Sequence, residues 1–265
     1  MIRIQEIPMV AERLQAGKVQ TGVAMDARTI IQGIERHASL APGTEDRFTG
    51  YAVIGLPFRS GHVLSLRRFP ASSVGPGYTS VWHRDPAGHW TFYSTVGPEQ
   101  GCFRYFGTEI DTNVVAPIQV DWQGPAQFVV VVKDEVTWEV TLAETVASRV
   151  MNQAARLLPE NWWRKRFMLS LMGAAAGLIL GAGRMNLAGR TPNGQEFVAI
   201  PRQVWLVKSS RAIIRGVDTG PVGPLAEQAR LRDFLIPQRG VFAVGRTFMG
   251  TAASVSSSVG ARVIA

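Results

Sequence analysis

The stretch from residue 143 to 182 constrains the fold most, because it reads as two consecutive helices inside a chain otherwise patterned as strands. In its first half, ETVASRVMNQAARLL, Val146, Val150, Ala154 and Leu158 recur at helical spacing, joined by Ala147, Met151 and Leu157. Ser148, Arg149, Asn152, Gln153 and Arg156 fall opposite. A period of about 3.6 residues predicts an amphipathic helix with its apolar face packed inward. Pro159 ends that helix and is able to open the next, since a proline in the first turn loses no bonded N–H. From Phe167 to Ala182 no charge occurs, which predicts a helix buried on every side.

That run of 16 residues makes a helix of roughly 24 Å, short of the about 30 Å of a bilayer core. Gly173, Gly177 and Gly181 repeat every fourth residue, a spacing that permits close approach to another backbone, in lipid or in a soluble fold. Burial within the protein is the preferred reading. The alternative is a membrane-associated protein anchored through residues 160–182, with Trp162, Trp163, Arg164, Lys165 and Arg166 against the headgroups.

A chain of 265 residues suits one large β-domain or two small ones. Of its 28 basic residues 24 are arginine, and the formal charge is +8. Coding bias accounts for most of that preference; a functional reading calls for an anionic partner. The arginines are scattered, so nucleic acid is disfavoured. The single cysteine, Cys102, excludes an internal disulfide and fits a reducing compartment. The N-terminus lacks the apolar core and cleavage site of a secretory signal, so a cytoplasmic location is expected, with membrane association as the variant.

Residues 1–44 read as an arm with a short helix at 11–16 and a helix or strand at 27–37. Residues 45–250 read as the β-domain carrying the helical insertion, and 251–265 as a flexible tail. Strands are expected in GYAVIGLP, GHVLSLRRFP, FRYFGTEI, VVAPIQVDW, AQFVVVV and VTWEVTL. After the insertion come RMNLAGR, QEFVAI, a pair QVWLVKS and RAIIRGVD, a short helix near 225–232, and GVFAVGRTF. The clearest hairpin is TSVWHRDPAGHWTFYSTV, where Asp85-Pro86-Ala87-Gly88 suits a type I turn with a glycine bulge. Pairing Asp85 with His89 puts Trp82 opposite Phe92 and Arg84 opposite Trp90 on one face. His83 then opposes Thr91, and Val81 opposes Tyr93, on the other. The expected fold is mainly β: an antiparallel barrel or pair of packed sheets, with the helices packed on it or plugging one end.

No phosphate loop, H-E-x-x-H, paired-cysteine or G-x-S-x-G motif is present. His83, Asp85 and His89 straddle a turn in which Asp85 has a local role, so no metal site and no cofactor is expected there. Trp82, Trp90, Trp122, Trp138 and Trp205 lie on expected strands, either as core or lining a cavity for a hydrophobic small molecule. Trp82, Trp122, Trp138 and Trp205, with His83, Tyr93, Arg104 and Tyr105, are the candidate ligand-binding residues. Asp121 and Glu139, acids within apolar strands, are the candidate catalytic residues, since an inward carboxyl would be raised in pKa and able to donate a proton.

The tryptophan-bearing strand run, with W-H-R-D-P-A-G-H-W, G-R-T-P-N-G-Q and G-V-D-T-G, resembles the lipocalin-like proteins of the carotenoid hydratase and hydroxyneurosporene synthase type over residues 50–250. The resemblance implies β-barrel lobes, a long apolar ligand and acid-catalysed, cofactor-free chemistry. The helical pair departs from that pattern, so no catalytic residue is carried over. The leading expectation is a binder of a lipid, isoprenoid or polyketide; the alternative is a cofactor-independent hydratase, isomerase or cyclase acting on such a ligand.

Overall fold

The computed structural model describes residues 26–157 and 165–250. The expected helix at 11–16, the helix junction at Leu158 and Pro159, Trp162, Trp163, Arg164 and the tail lie outside them. Helix α1 (Ala27–His37) starts at Asp26, whose carboxylate accepts the Thr29 N–H at 2.8 Å. Strands β1 (Asp46–Pro57), β2 (Val63–Ser72), β3 (Tyr78–Arg84) and β4 (Trp90–Ser94) form a meander, followed by the single turn α2 (Phe103–Phe106). Then come β5 (Thr112–Val115), β6 (Ile118–Trp122), β7 (Gln127–Val132), β8 (Val136–Ala143), and helices α3 (Val146–Leu157) and α4 (Arg166–Ile179). Short β9 (Ala188–Arg190), long β10 (Glu196–Ile214), β11 (Val217–Asp218), the hairpin β12 (Arg230–Leu231) and β13 (Phe234–Leu235), and β14 (Val241–Gly250) complete the domain.

One sheet runs in the order β5-β4-β3-β2-β1-β14-β10-β8-β7-β6, with β9 and β11 also paired to β10. The chain crosses between its two edges, β5 and β6, through Ala116 and Pro117, yet no ladder joins them among the described residues. Pro117 has no N–H to offer across that gap. The sheet is therefore a curled, open half-barrel, and the expected closed lipocalin-like barrel is corrected; the mainly-β character stands.

The hairpin at 81–93 has the expected register, Trp82 to Phe92 and His83 to Thr91, and Gly88 takes φ 103°. Three local expectations fail. FRYF is helical, the segment near 225–232 contributes the β12–β13 hairpin instead of a helix, and QEFVAI, QVWLVKS and RAII form one strand of 19 residues. That strand bends without breaking at register shifts near Pro201 and Ser209, where bulges absorb the turn-like residues.

The helices also differ from their expected orientation. In α3, Ser148 and Asn152 are buried while Val146 is 74% and Leu157 83% exposed. Asn152 decides this: its amide nitrogen donates to the Val204 carbonyl at 3.0 Å and its oxygen accepts the Val204 N–H at 2.7 Å, completing the backbone bonding of β10 beside a bulge. Two directed bonds to a buried backbone outweigh leaving Val146, Val150 and Leu157 wet. In α4, Leu169, Gly173, Ala176 and Gly177 face the protein, but Phe167, Leu171 and Leu178 are exposed, so burial on every side is corrected. A Cβ on Gly173 or Gly177 would collide with the Met185 or Gly183 carbonyl, so the glycine row seats the helix against the extended 183–187 segment. No helix among the described residues is long and apolar enough to cross a membrane.

The inner face of the sheet is a continuous core of Tyr51, Val53, Leu66, Phe128, Trp138, Trp205, Phe242 and their neighbours. The outer face is covered in two parts. Residues 96–110 and β12–β13 lie over an aromatic cluster around Trp82, Phe92 and Phe106; α3 and α4 lie over β10 and β14.

Candidate functional site

Alternation along β2 sends Ser65, Arg67 and Phe69 to the outer face, opposite Trp82, Ser80 and Tyr78 of β3. The turn α2 brings Cys102, Tyr105 and Phe106 over them, and β13 lays Phe234 on top. Arg67 is thereby 6% exposed, its guanidinium carbon 3.4 Å from the centroid of the Trp82 ring and 5.1 Å from that of Phe234. Its Nη2 donates only a long bond, 3.4 Å, to the Ile54 carbonyl, and its buried Nη1 has no partner among the described residues. Burial pulls the Arg67 pKa down to about 10, with Cys102 and Tyr78 acting against the shift, so it remains a cation at neutral pH. Burial in turn pushes the Cys102 thiol and the Tyr78 hydroxyl up, so both keep their protons there; the two atoms are 3.2 Å apart.

Arg67 sits where two cavities share a wall. One, of about 50 Å³, lies among Phe48, Tyr78, Cys102, Tyr105, Phe106 and Phe197. The other, of about 100 Å³, runs along Gly50, Ala52, Ile54, Ala199 and Arg246. Across Ile54, Met185, Leu187 and Pro201 lies a third, partly open cavity of about 240 Å³, between α3, α4, β10 and β14 and lined chiefly by Met151, Ala155, Met172, Ala176, Ile179 and Leu180. Arg246 on the middle cavity is half-buried, and burial, then Arg202, lowers its pKa.

Two polar clusters lie on the inner side. At the open seam, a cleft of about 710 Å³ is bordered by α1, Thr79, Thr95, Ile118, Val120 and Trp122. There Arg68 holds Glu35 bidentately at 2.8 and 3.0 Å, and Tyr51 donates to the same carboxylate at 2.9 Å. At one rim of the half-barrel, Tyr93 (2.7 Å) and Arg215 (2.8 Å) both donate to Glu135, and His62 and His83 share a proton at 2.9 Å between ring nitrogens. Burial, then His62, lowers the His83 pKa to about 4. The bonds from Tyr93 and Arg215 hold Glu135 below the usual carboxylate range, while burial and Glu135 push Tyr93 up to about 12.

The sequence-expected residues are thus dispersed. Trp82 and Tyr105 border the Arg67 region, with the Tyr105 hydroxyl bonded to Asp46 at 2.8 Å. Arg104 lies at the surface, 3.4 Å from Glu99. His83 and Tyr93 belong to the rim cluster, Trp122 to the seam, and Trp138 and Trp205 to the packed inner core. Asp121 and Glu139 are both exposed, on alternating strands whose buried side is taken by valine and tryptophan. His89 meets Asp85 across the turn at 3.2 Å, whereas His83 meets His62. Lys165 and Arg166 are exposed, and Arg166 pairs with Glu196. Sequence reasoning missed Arg67: in VLSLRRFP two adjacent arginines carry no signal of which one lacks a counter-charge.

No protein-family model matches the chain, and no curated protein matches it significantly. Among solved structures, the chain is similar to acetoacetate decarboxylase from Legionella pneumophila, at 10% identity, covering 82% of this chain and 88% of that one with a TM-score of 0.34.

Proposed function

We propose that this protein binds a hydrophobic small molecule, such as a lipid, isoprenoid or polyketide, between the outer face of its sheet and helices α3 and α4. The observation that carries the reading is the cavity of about 240 Å³ walled by aliphatic side chains. Apolar walls left facing water forgo roughly 25 cal/mol per Å² of surface that burial would recover, and a ligand lying against them covers that surface. Binding there raises the melting temperature. The lining is aliphatic instead of the expected tryptophans, because Trp138 and Trp205 are committed to the inner core, Trp122 stands at the seam and Trp82 stacks on Arg67. Native mass spectrometry of the purified chain tests the reading: a co-purifying organic molecule supports it. Absence of any such molecule, together with no thermal shift from a panel of C10–C20 lipids and isoprenoids, would end it.

A second reading is a cofactor-independent hydratase, isomerase or cyclase acting on the same ligand. It is favoured by the protonated Tyr78 and Cys102 groups beside Arg67, which supply hydrogen-bond donors at an enclosed apolar site. Chemical change in a ligand recovered after incubation, abolished by Tyr78→Phe, would establish it; unchanged ligand leaves a binder. The exposed Phe167, Leu171 and Leu178 beside Lys165 and Arg166 also suit a membrane surface as the source of ligand, which vesicle sedimentation tests.

A further inference from the structure

The three outer-face cavities share a feature independent of their apolarity. Among the described residues their linings include Arg67, Arg246 and Arg202, and no aspartate or glutamate. Elsewhere on β2 the chain solves the same problem differently, giving Arg68 a bidentate carboxylate. A buried cation without a counter-charge is costly, and a pair that supplies the missing anion recovers much of that cost. Arg67 is held for such a partner: Trp82 stacks on one face of its guanidinium, Phe234 flanks it with its ring centroid 5.1 Å from the guanidinium carbon, and Nη1, without a partner among the described residues, is confined beside the cavities.

We propose that the ligand is an apolar monocarboxylate whose headgroup is held by Arg67 and whose hydrocarbon body extends past Met185 toward the cavity beneath α3 and α4. This rests on the hydrophobic-ligand reading above and adds the charge and placement of its polar end. One singly charged anion matches one free guanidinium edge. A dianionic phosphate would need donors from several sides, and the bonded Tyr78–Cys102 pair has at most one proton left to offer. The middle cavity is too small for a bulky headgroup, at about 100 Å³, but takes a carboxylate and the first few carbons. Met185, unbranched and shared by the walls of both larger cavities, is the adaptable element between them.

The experiment compares decanoate, decan-1-ol and decyl phosphate by calorimetric titration of the full chain at pH 8. Wild type is expected to bind decanoate about 10- to 100-fold more tightly than decan-1-ol, the size of a charged hydrogen bond, and more tightly than decyl phosphate. Arg67→Met is expected to erase the carboxylate preference, weakening decanoate at least about 10-fold more than decan-1-ol. Equal affinities for acid and alcohol in wild type would overturn the headgroup assignment while leaving the hydrophobic-ligand reading intact; binding of neither would remove the reading itself. A preference for decyl phosphate, or one that survives in Arg67→Met and disappears in Arg246→Met, also overturns it. Should Arg67→Met fail to fold, ¹³C-carboxyl decanoate bound to wild type gives the same decision. A bound carboxyl pKa below that of free decanoate supports a cationic anchor, and one raised above it refutes it.

Discussion

Arg67 and Arg68 are neighbours on β2 and point to opposite faces of one sheet, and the two faces treat them differently. On the inner face Arg68 is fixed by Glu35, which also accepts from Tyr51, and the apolar remainder is packed around Trp138, Trp205 and Phe242. On the outer face Arg67 has aromatic rings instead of a carboxylate, and the neighbouring space is occupied incompletely. A face that is packed and charge-compensated contributes stability without outside help. A face that leaves a cation unpaired and apolar volume unfilled spends stability on something that arrives later.

Truncation gives the largest expected difference between the faces. Trp138 is fully buried and its indole donates to Ser210 at 2.8 Å, so Trp138→Ala should cost about 3–5 kcal/mol in denaturant unfolding. Met172→Ala, on the already hollow outer side, should cost about 2 kcal/mol, at the low end of such changes. Equal losses would mean that the outer cavity is as well packed as the core.

The inner rim should also respond to pH. The folded pKa of His83, about 4, lies below its ordinary 6.5, so the unfolded chain binds the proton more readily. Stability is then fully present above pH 6.5 and declines as pH falls toward 4, by on the order of 2–3 kcal/mol. Melting temperatures from pH 8 to pH 4 test this, and His83→Phe should flatten the part of the profile that lies between those values.

For the outer face, Gly177→Leu should destabilise by about 1–3 kcal/mol, because even its Cβ meets the Gly183 carbonyl and α4 must lift. Leu178→Ala, one residue on and 84% exposed, should change stability by less than about 0.5 kcal/mol. If the two substitutions behave alike, α4 is not seated on the 183–187 segment.

What was legible in the sequence follows the same division. The hairpin at 81–93 could be read to the residue, because Pro86 and Gly88 fix the turn and the turn fixes the register. The meander β6–β8 was likewise set by local turns and alternation. The single long β10 was not, since Pro201 and Ser209 read as turn residues and only its pairing with β8 and β14 turns them into bulges. Periodicity locates helix α3 but misplaces its buried face, because it cannot anticipate that Asn152 will complete the backbone bonds of Val204. The open seam depends on a meeting of β5 and β6 that no local pattern encodes. The Arg67 region was half legible, through Trp82 and Tyr105, while its charge was hidden because pairing is a property of the assembled faces.

The smallest expected effect is the sharpest comparison, because it changes one residue at a time in the same dipeptide. Arg68→Met leaves Glu35 and Tyr51 without their cation, but the pair is 28% and 30% exposed at its side chains, so solvent screens much of the interaction. A loss of about 0.5–1 kcal/mol is expected, shrinking in high salt. Arg67→Met removes a buried charge that has no counter-charge among the described residues and replaces it with an apolar chain of similar length. Stability in the absence of ligand should stay level or rise, by up to about 1 kcal/mol, with no dependence on salt. Added decanoate should reverse the order, stabilising wild type more than Arg67→Met. The measurement is a pair of urea titrations on each variant, at low and high salt. A loss of 1 kcal/mol or more on removing Arg67 would mean that the guanidinium is already compensated in the folded, unliganded protein, and the two faces would no longer differ in kind.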